Sequence, residues 1–206
     1  PVDPNSTNPY QLTEADRTVI GNTTPKFSGG FGLNATYKGF DMSMFFNFMY
    51  DFDVLNANKI MLTTWADNKE NNFLMDIASD KRWRNFDDMG NEIRYSPEVL
   101  AEFNKNATMW NPTSIGRPIC MSYAVEDGSF LRLNSATLGY TLPSVWTKKV
   151  GLSKVRFYVS GNNLFTLTGY SGYDPEVNIA TGLTPNIDYD RYPRSRTYTF
   201  GAQLTF

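Results

Sequence analysis

The sequence predicts an all-β protein whose strands cross a membrane as part of an antiparallel barrel. Three observations carry that expectation: sustained period-2 alternation in five segments, one segment longer than ordinary strands, and connections that are short at one end and long at the other. Composition agrees with it. The 206 residues are 15% aromatic and only 19% charged, below the roughly 25% usual for a soluble domain. No run approaches the roughly 18 apolar residues of a transmembrane helix, so any spans are strands.

Residues 1–25 read as a loop, with Pro1, Pro4, Pro9 and Pro25 and one turn of helix from Leu12 to Arg17 that Thr13 could cap. The opening PVDPNSTNPY has no initiator Met and no signal-like apolar segment, as expected of a mature form, a processed chain or a fragment. From Lys26 the pattern becomes strand-like. Phe27, Gly29, Phe31, Leu33, Ala35 and Tyr37 fall on one face, and Ser28, Gly30, Gly32, Asn34 and Thr36 on the other. Tyr37-Lys38-Gly39 then makes a tight reversal, with Gly39 free to take a positive φ.

The segment 40–52 sets Phe40, Met42, Met44, Phe46, Phe48, Tyr50 and Phe52 against Asp41, Ser43, Phe45, Asn47, Met49 and Asp51. At about 3.3 Å per residue it reaches roughly 40 Å, enough to cross a bilayer when tilted. The aromatic face is expected to meet lipid, with a packed core as the competing explanation. Tyr37, Phe40, Tyr140, Trp146 and Phe165 lie near strand ends, as an interfacial aromatic belt requires.

Residues 53–128 lack sustained alternation and are far longer than an ordinary connection, so they read as a functional loop. SPEVLAEFNK predicts a short helix, with Ser96 at the cap and Pro97 at its first position. Alternation resumes over 129–143 and again over 154–165, joined by a short turn region through Gly151. A second long connection, 166–194, precedes a last strand, 195–206, with Tyr198, Phe200, Ala202, Leu204 and Phe206 on one face. Five strands cannot close a membrane barrel of this kind, whose members start at about eight. The chain therefore oligomerises or is one piece of a longer polypeptide.

Chemistry-bearing motifs are scarce. The chain has no His, which removes His-dependent nucleophilic catalysis and His metal ligation from these residues. Its one Cys, Cys120, closes no internal disulfide, and a net charge of -2 argues against nucleic acid. Asp3, Glu14 and Asp16 lack calcium-loop spacing, so no metal, cofactor or catalytic residue is assigned. Asp87 with Asp88, or Glu126 with Asp127, support a glycoside hydrolase only as surface acidity does. Trp65, Trp83, Tyr95 and Trp110 are the substrate-facing candidates, because aromatic faces beside amides and carboxylates suit sugars or peptides. Packing of the loop on itself is the competing role for each. Asp174, Glu176, Asp188, Asp190, Arg191, Arg194 and Arg196 predict a loop held by ion pairs.

Four segments carry a family resemblance. VEDGSFLRLNSATLGYTLP (125–143), KVRFYVSGNNLFTLTGYSGYDPEVN (154–178), YPRSRTYTFGAQLTF (192–206) and DRTVIGNTTPKFSGGFGLNATYKGFDMSMFF (16–46) resemble the late-barrel segments of SusC/RagA-family TonB-dependent outer-membrane transporters, in the family's order. The resemblance implies a 22-stranded barrel with an internal plug, of which this chain is the C-terminal five-strand portion. It implies import of glycans or peptides, a SusD-like surface lipoprotein partner, energy through TonB, and no enzymatic activity. Tyr198, Phe200, Ala202, Leu204 and Phe206 would form the signal read by the outer-membrane assembly machinery. Segments 1–25, 53–128 and 166–194 would then be extracellular, hairpin 26–52 and strands 129–165 would lie in the wall, and Tyr37–Gly39 and Pro143–Ser153 would be periplasmic. The alternative from a different class is a soluble secreted carbohydrate-binding β-sandwich.

Overall fold

The structure is a computed structural model that describes residues 17–64, 73–77, 81–111, 120–177, 185–189 and 191–206. The helical turn expected at the start of the chain lies outside these residues. In chain order the elements are β1 (Phe27–Tyr37), β2 (Phe40–Tyr50), β3 (Asp53–Asn56), α1 (Ala57–Met61), α2 (Pro97–Asn104), β4 (Val125–Asp127), β5 (Phe130–Thr141), α3 (Ser144–Thr147), β6 (Lys154–Thr168), β7 (Ile187–Asp188) and β8 (Thr197–Thr205).

Five of the strands form one sheet in the order β1-β2-β5-β6-β8, with every neighbour antiparallel. This is the expected up-and-down meander. The β1–β2 turn is two residues long, with Lys38 at φ 46° and Gly39 at φ 90°. Positive φ at both central residues matches the right-handed twist of the strands, so the hairpin pairs from Tyr37–Phe40 to Phe27–Tyr50 without a slip. The β5–β6 connection runs through α3 and a 3₁₀ turn that ends on Gly151 at φ 75°. The two long connections, β2 to β5 and β6 to β8, both leave the opposite end of the sheet.

Antiparallel pairing keeps partners on the same face, so the register sorts the side chains. One face carries Tyr37, Phe40, Tyr140 and Phe157 in a single row, and deeper in the sheet Phe31 stacks on Phe46 with centroids 5.0 Å apart. The other face carries Asn34, Ser43, Thr137, Ser160 and Thr199 in one row, and Thr36, Asp41, Gly139, Tyr158 and Gly201 in another. Above Gly139, Arg156 pairs with both carboxylate oxygens of Asp41. A Cβ at residue 139 would lie 2.4 Å from Arg156 Nη2 and 2.6 Å from Asp41 Oδ1, so a larger residue there would displace the pair.

The apolar face is uncovered among the described residues. Phe31, Leu33, Phe40, Leu138, Phe157 and Phe200 are between 45% and 80% exposed. A β-sandwich would bury this face against a second sheet, and the small second sheet does not lie there. That sheet, in the order β4-β3-β7, belongs to the long connections. The packed core sits with it and consists of Phe52, Val54, Phe130, Tyr170 and Val177, with Met49 against them.

Three details differ from the sequence expectation. Phe52 does not continue the apolar face of the second strand. Asp51 takes φ 60°, β2 stops at Tyr50, and the chain turns Phe52 into the core, where it is 3% exposed. The β5–β6 pair is bulged, because Asn134 on one strand and Asn163 with Leu164 on the other are skipped by the register. Asn163 takes φ 53°, a conformation Asn tolerates better than most residues. The last strand begins at Thr197 and β6 runs on to Thr168, which moves the second long connection along the chain to 169–196. Helix α2 forms as expected, with Ser96 at the cap position, but the Ser96 side chain makes no capping bond.

Candidate functional site

The long connections build an ordered unit at one end of the wall. Its small sheet joins three distant parts of the chain, since β3 pairs antiparallel with β4 and parallel with β7. The segment before β1 also docks there. Asn22 donates its amide to Asp53 at 2.6 Å, Asp53 donates its amide to the Asn22 carbonyl at 2.7 Å, and Asn186 donates to the Thr23 carbonyl.

Glu126 of β4 ties this sheet to the connection that follows β6. Its carboxylate accepts from the Ser171 amide (2.9 Å) and hydroxyl (2.8 Å), from Asn56 (3.1 Å) and from Lys59 (3.1 Å). Burial alone would raise this carboxyl, but the Ser171, Lys59 and Asn56 hydrogen bonds outweigh it and hold Glu126 below the ordinary range. Tyr170 donates to buried Asp188 at 2.6 Å. Burial, and then that hydrogen bond, push the phenol far above its usual range and keep it a neutral donor.

The connection is fixed to the wall by charge. Arg132 of β5 is 2% exposed and pairs with Asp174 (2.5 Å) and Glu176 (3.5 Å). Arg194 closes the set from the other side, 2.8 Å from Glu176 and 4.0 Å from Asp174. Two cations and two anions thus balance where one strand end meets the loop. Arg132 also lies 5.2 Å over the Phe130 ring, which shields it from water.

The predicted residues fall into three groups. Trp65 and Asp190 lie outside the described residues. Trp110 is packed into the unit: its indole donates to the Thr63 carbonyl at 3.2 Å, and its ring meets Tyr123 edge-on at 5.2 Å. Tyr123 in turn donates to Asp76 and takes Lys59 over its ring at 4.6 Å. Burial, then the Asp76 contact, raise the Tyr123 phenol well above its ordinary value. Trp83 and Tyr95 are exposed, at 41% and 79%, on a small ordered lobe with Phe86 and Met89. That lobe is shaped by Asp87, whose side chain accepts from the amides of Met89 and Asn91 and from the Asn91 side chain. Trp110 is thus separated in role from Trp83 and Tyr95, being packed on Tyr123 while the other two are exposed. Of the charged residues expected to order the loop, Asp174, Glu176 and Arg194 do so by ion pairs and Asp188 by its bond to Tyr170. Their central partner, Arg132, escaped the sequence reading. Its only signal was a charged residue within the otherwise apolar run Phe130-Leu131-Arg132-Leu133.

Among the described residues no group of three or more acidic or Cys side chains is placed to hold a metal ion. What the arrangement offers is a two-faced wall with an ordered lobe at one end. Comparison with known proteins places that design. The chain is 35% identical over 202 residues, 95% of its length, to a TonB-dependent receptor (P3) of Formosa agariphila. Over 88 residues it is 36% identical to the TonB-dependent receptor SusC of Bacteroides thetaiotaomicron. Among solved structures it matches the RagAB peptide importer in its closed-closed state, with a TM-score of 0.73, 25% identity and 95% of the chain covered. No protein-family profile matches the chain. The chain spans about a fifth of the Formosa receptor and of the RagAB chain, 18% and 19% of their lengths, and its match to SusC covers 41% of this chain and 8% of SusC. Fold and faces together define a segment of a TonB-dependent receptor. Within that class the chain belongs to the SusC/RagA family.

Proposed function

We propose that this chain supplies wall strands and external loops to a TonB-dependent importer in the bacterial outer membrane, taking up oligosaccharides or peptides. The uncovered apolar face of the five-stranded sheet carries the proposal. At about 200 Å² per fully exposed large side chain, its exposed residues amount to on the order of 1,000 Å² of apolar surface. Soluble monomers rarely show patches beyond about 300–600 Å². Along β1 the span 27–37 is roughly 33 Å at about 3.3 Å per residue. Tilted by about 40°, it stands about 25 Å high, the height of the apolar band of a membrane barrel. Phe27 and Tyr50 lie at one border of that band and Tyr37, Phe40, Tyr140 and Phe157 at the other.

In this reading the apolar face meets lipid and the polar face, with Asp41 and Arg156, lines the lumen of a 22-stranded barrel. The free edges of β1 and β8 pair with strands supplied by the rest of that protein, which also provides the plug and the TonB contact. The lobe with Trp83 and Tyr95 is extracellular and faces substrate or a SusD-like lipoprotein lid. Tyr198, Phe200, Ala202, Leu204 and Phe206 form the assembly signal of the closing strand. The similarity to a peptide importer and to SusC supports import without choosing between peptide and glycan.

The test uses the whole receptor in cells. A cysteine replacing Met89 should react with a membrane-impermeant maleimide on intact cells, and one replacing Lys149 only after the outer membrane is opened. Labelling in the opposite order, or a parent protein that is monodisperse without detergent, would overturn the assignment.

A further inference from the structure

We propose that the short-turn end of the sheet binds anionic phospholipid headgroups, through Lys38, Lys148, Lys149 and Lys154, with Trp146 seated among the lipids. The inference rests on the wall reading above and adds a lipid-recognition surface to it. Three independent features of this end point the same way.

The first is charge. Lys38 sits in the β1–β2 turn, Lys148 and Lys149 follow α3, and Lys154 opens β6. Among the described residues none of the four forms an ion pair. Lys154 is within electrostatic reach of Asp41, but that carboxylate is occupied by Arg156. Elsewhere three lysines do have carboxylate partners, since Lys26 faces Asp51, Lys59 faces Glu126 and Lys105 faces Glu102. At the short turns Lys38 lies 5.2 Å over the Tyr37 ring, a contact that leaves its charge without a carboxylate.

The second is shape. A groove of about 500 Å³ lies between the two turns, lined by Lys38, Gly39, Thr141, Ser144, Ser153 and Lys154 among others. Ammonium groups and hydroxyls without a carboxylate are donors suited to a phosphodiester.

The third is the apolar turn beside it. Val145, Trp146 and Val150 are 68%, 61% and 71% exposed, whereas Thr147 between them is buried. Helix α3 packs against the start of β6, where Val155 is 5% exposed although Phe157, on the same face, is half exposed. The turn therefore borders the apolar face, just past the Tyr37, Phe40, Tyr140 and Phe157 row. A headgroup at the lysines would put its glycerol and upper acyl chain on Trp146 and that row. Indole rings favour this depth. Continuity with the lipid-facing wall and complementary charge commit the surface to membrane lipid rather than to another protein.

The experiment uses the whole receptor in nanodiscs of phosphatidylcholine, with or without phosphatidylglycerol. Native mass spectrometry should find phosphatidylglycerol enriched on the wild type. The K38A/K148A/K149A/K154A variant should lose that enrichment by about tenfold or more. The fluorescence difference between wild type and W146F should be quenched by lipids brominated near the glycerol. Equal retention of both lipids, an unchanged lysine variant, or displacement of the bound lipid by millimolar inorganic phosphate would each overturn the proposal. An L138W variant in the W146F background separates the two readings. Quenching at residue 138 by mid-chain bromines without quenching at Trp146 sinks only the headgroup surface, and no quenching at residue 138 sinks the wall.

Discussion

Replacing Arg132 with Ala should release the connection after β6 while leaving the wall intact. Arg132 is 2% exposed and holds Asp174 and Glu176, whose side chains are 11% and 21% exposed. Removing one partner of a buried pair costs about 3–5 kcal/mol, because the other charge is left buried and uncompensated. Two features lower that figure here. Arg194 remains within 2.8 Å of Glu176 and 4.0 Å of Asp174, and both acids keep some contact with water. We therefore expect about 2–3 kcal/mol, confined to the loop. Hydrogen exchange on the whole detergent-solubilised receptor measures this directly. Amides of 170–177 should exchange roughly 30- to 140-fold faster in R132A, since about 1.4 kcal/mol is tenfold. Amides in the β5–β6 ladder should not change. A triple variant, R132M with D174N and E176Q, should recover much of the protection, because no buried charge is then unpaired. Unchanged exchange in R132A, or acceleration spread evenly over the sheet, would refute the argument that this cluster fixes the loop.

Further tests address other contacts. G139A should destabilise the sheet by about 1–3 kcal/mol in urea unfolding of the detergent-solubilised receptor, since the new Cβ would lie 2.4 Å from Arg156 Nη2 and 2.6 Å from Asp41 Oδ1. The penalty should shrink in an R156A background, and full additivity would show that the crossing ion pair is not the obstacle. Glu126 has a depressed carboxyl, so its stabilising effect is present above the unfolded value and is lost as pH falls through the lower folded value. Protection of Ser171 should therefore fall on acidification below the ordinary glutamate value of 4.5, and E126Q should abolish that dependence. F206A should reduce the heat-modifiable, assembled receptor several-fold, and undiminished assembly would remove Phe206 from the proposed signal. W83A and Y95A should lower substrate uptake at unchanged assembly, whereas equal uptake would return both residues to packing.

The five wall strands were legible because two-sided strands write their environment into every second residue. Phe27 to Tyr37 and Phe40 to Tyr50 alternate for a full membrane height, and the pairing kept the faces that alternation assigned. The limits of each strand were less visible. Phe52 has the right parity for the apolar face, yet one left-handed residue at Asp51 sends it into the core. Nothing in the hydrophobic pattern marks that turn, whose amide at Asp51 donates to Ser129 Oγ, 78 residues away. The bulge at Asn163 had a local cue in the pair Asn162-Asn163, but alternation through Ser160 gave no reason to break the strand.

The loop unit resisted sequence reading for a related physical reason. Its stability comes from polar contacts between residues far apart in the chain, such as Glu126 with Ser171 and Arg132 with Asp174. Such partners have no period and cannot be found by scanning one segment at a time. Low-dielectric burial also makes them selective, since each charge tolerates only a matched neighbour. An apolar joint of the same area would let the loop slide, whereas a charge-matched joint fixes one register between loop and wall. The same logic explains the contrast between the two ends. Arg132, Arg194, Lys26, Lys59 and Lys105 have carboxylate partners, whereas Lys38, Lys148, Lys149 and Lys154 at the short turns form no ion pair among the described residues. An unpaired cation costs little in water, but four at one end of the sheet, two of them lining the groove, raise the local positive potential, and that potential calls for an anion from outside the chain.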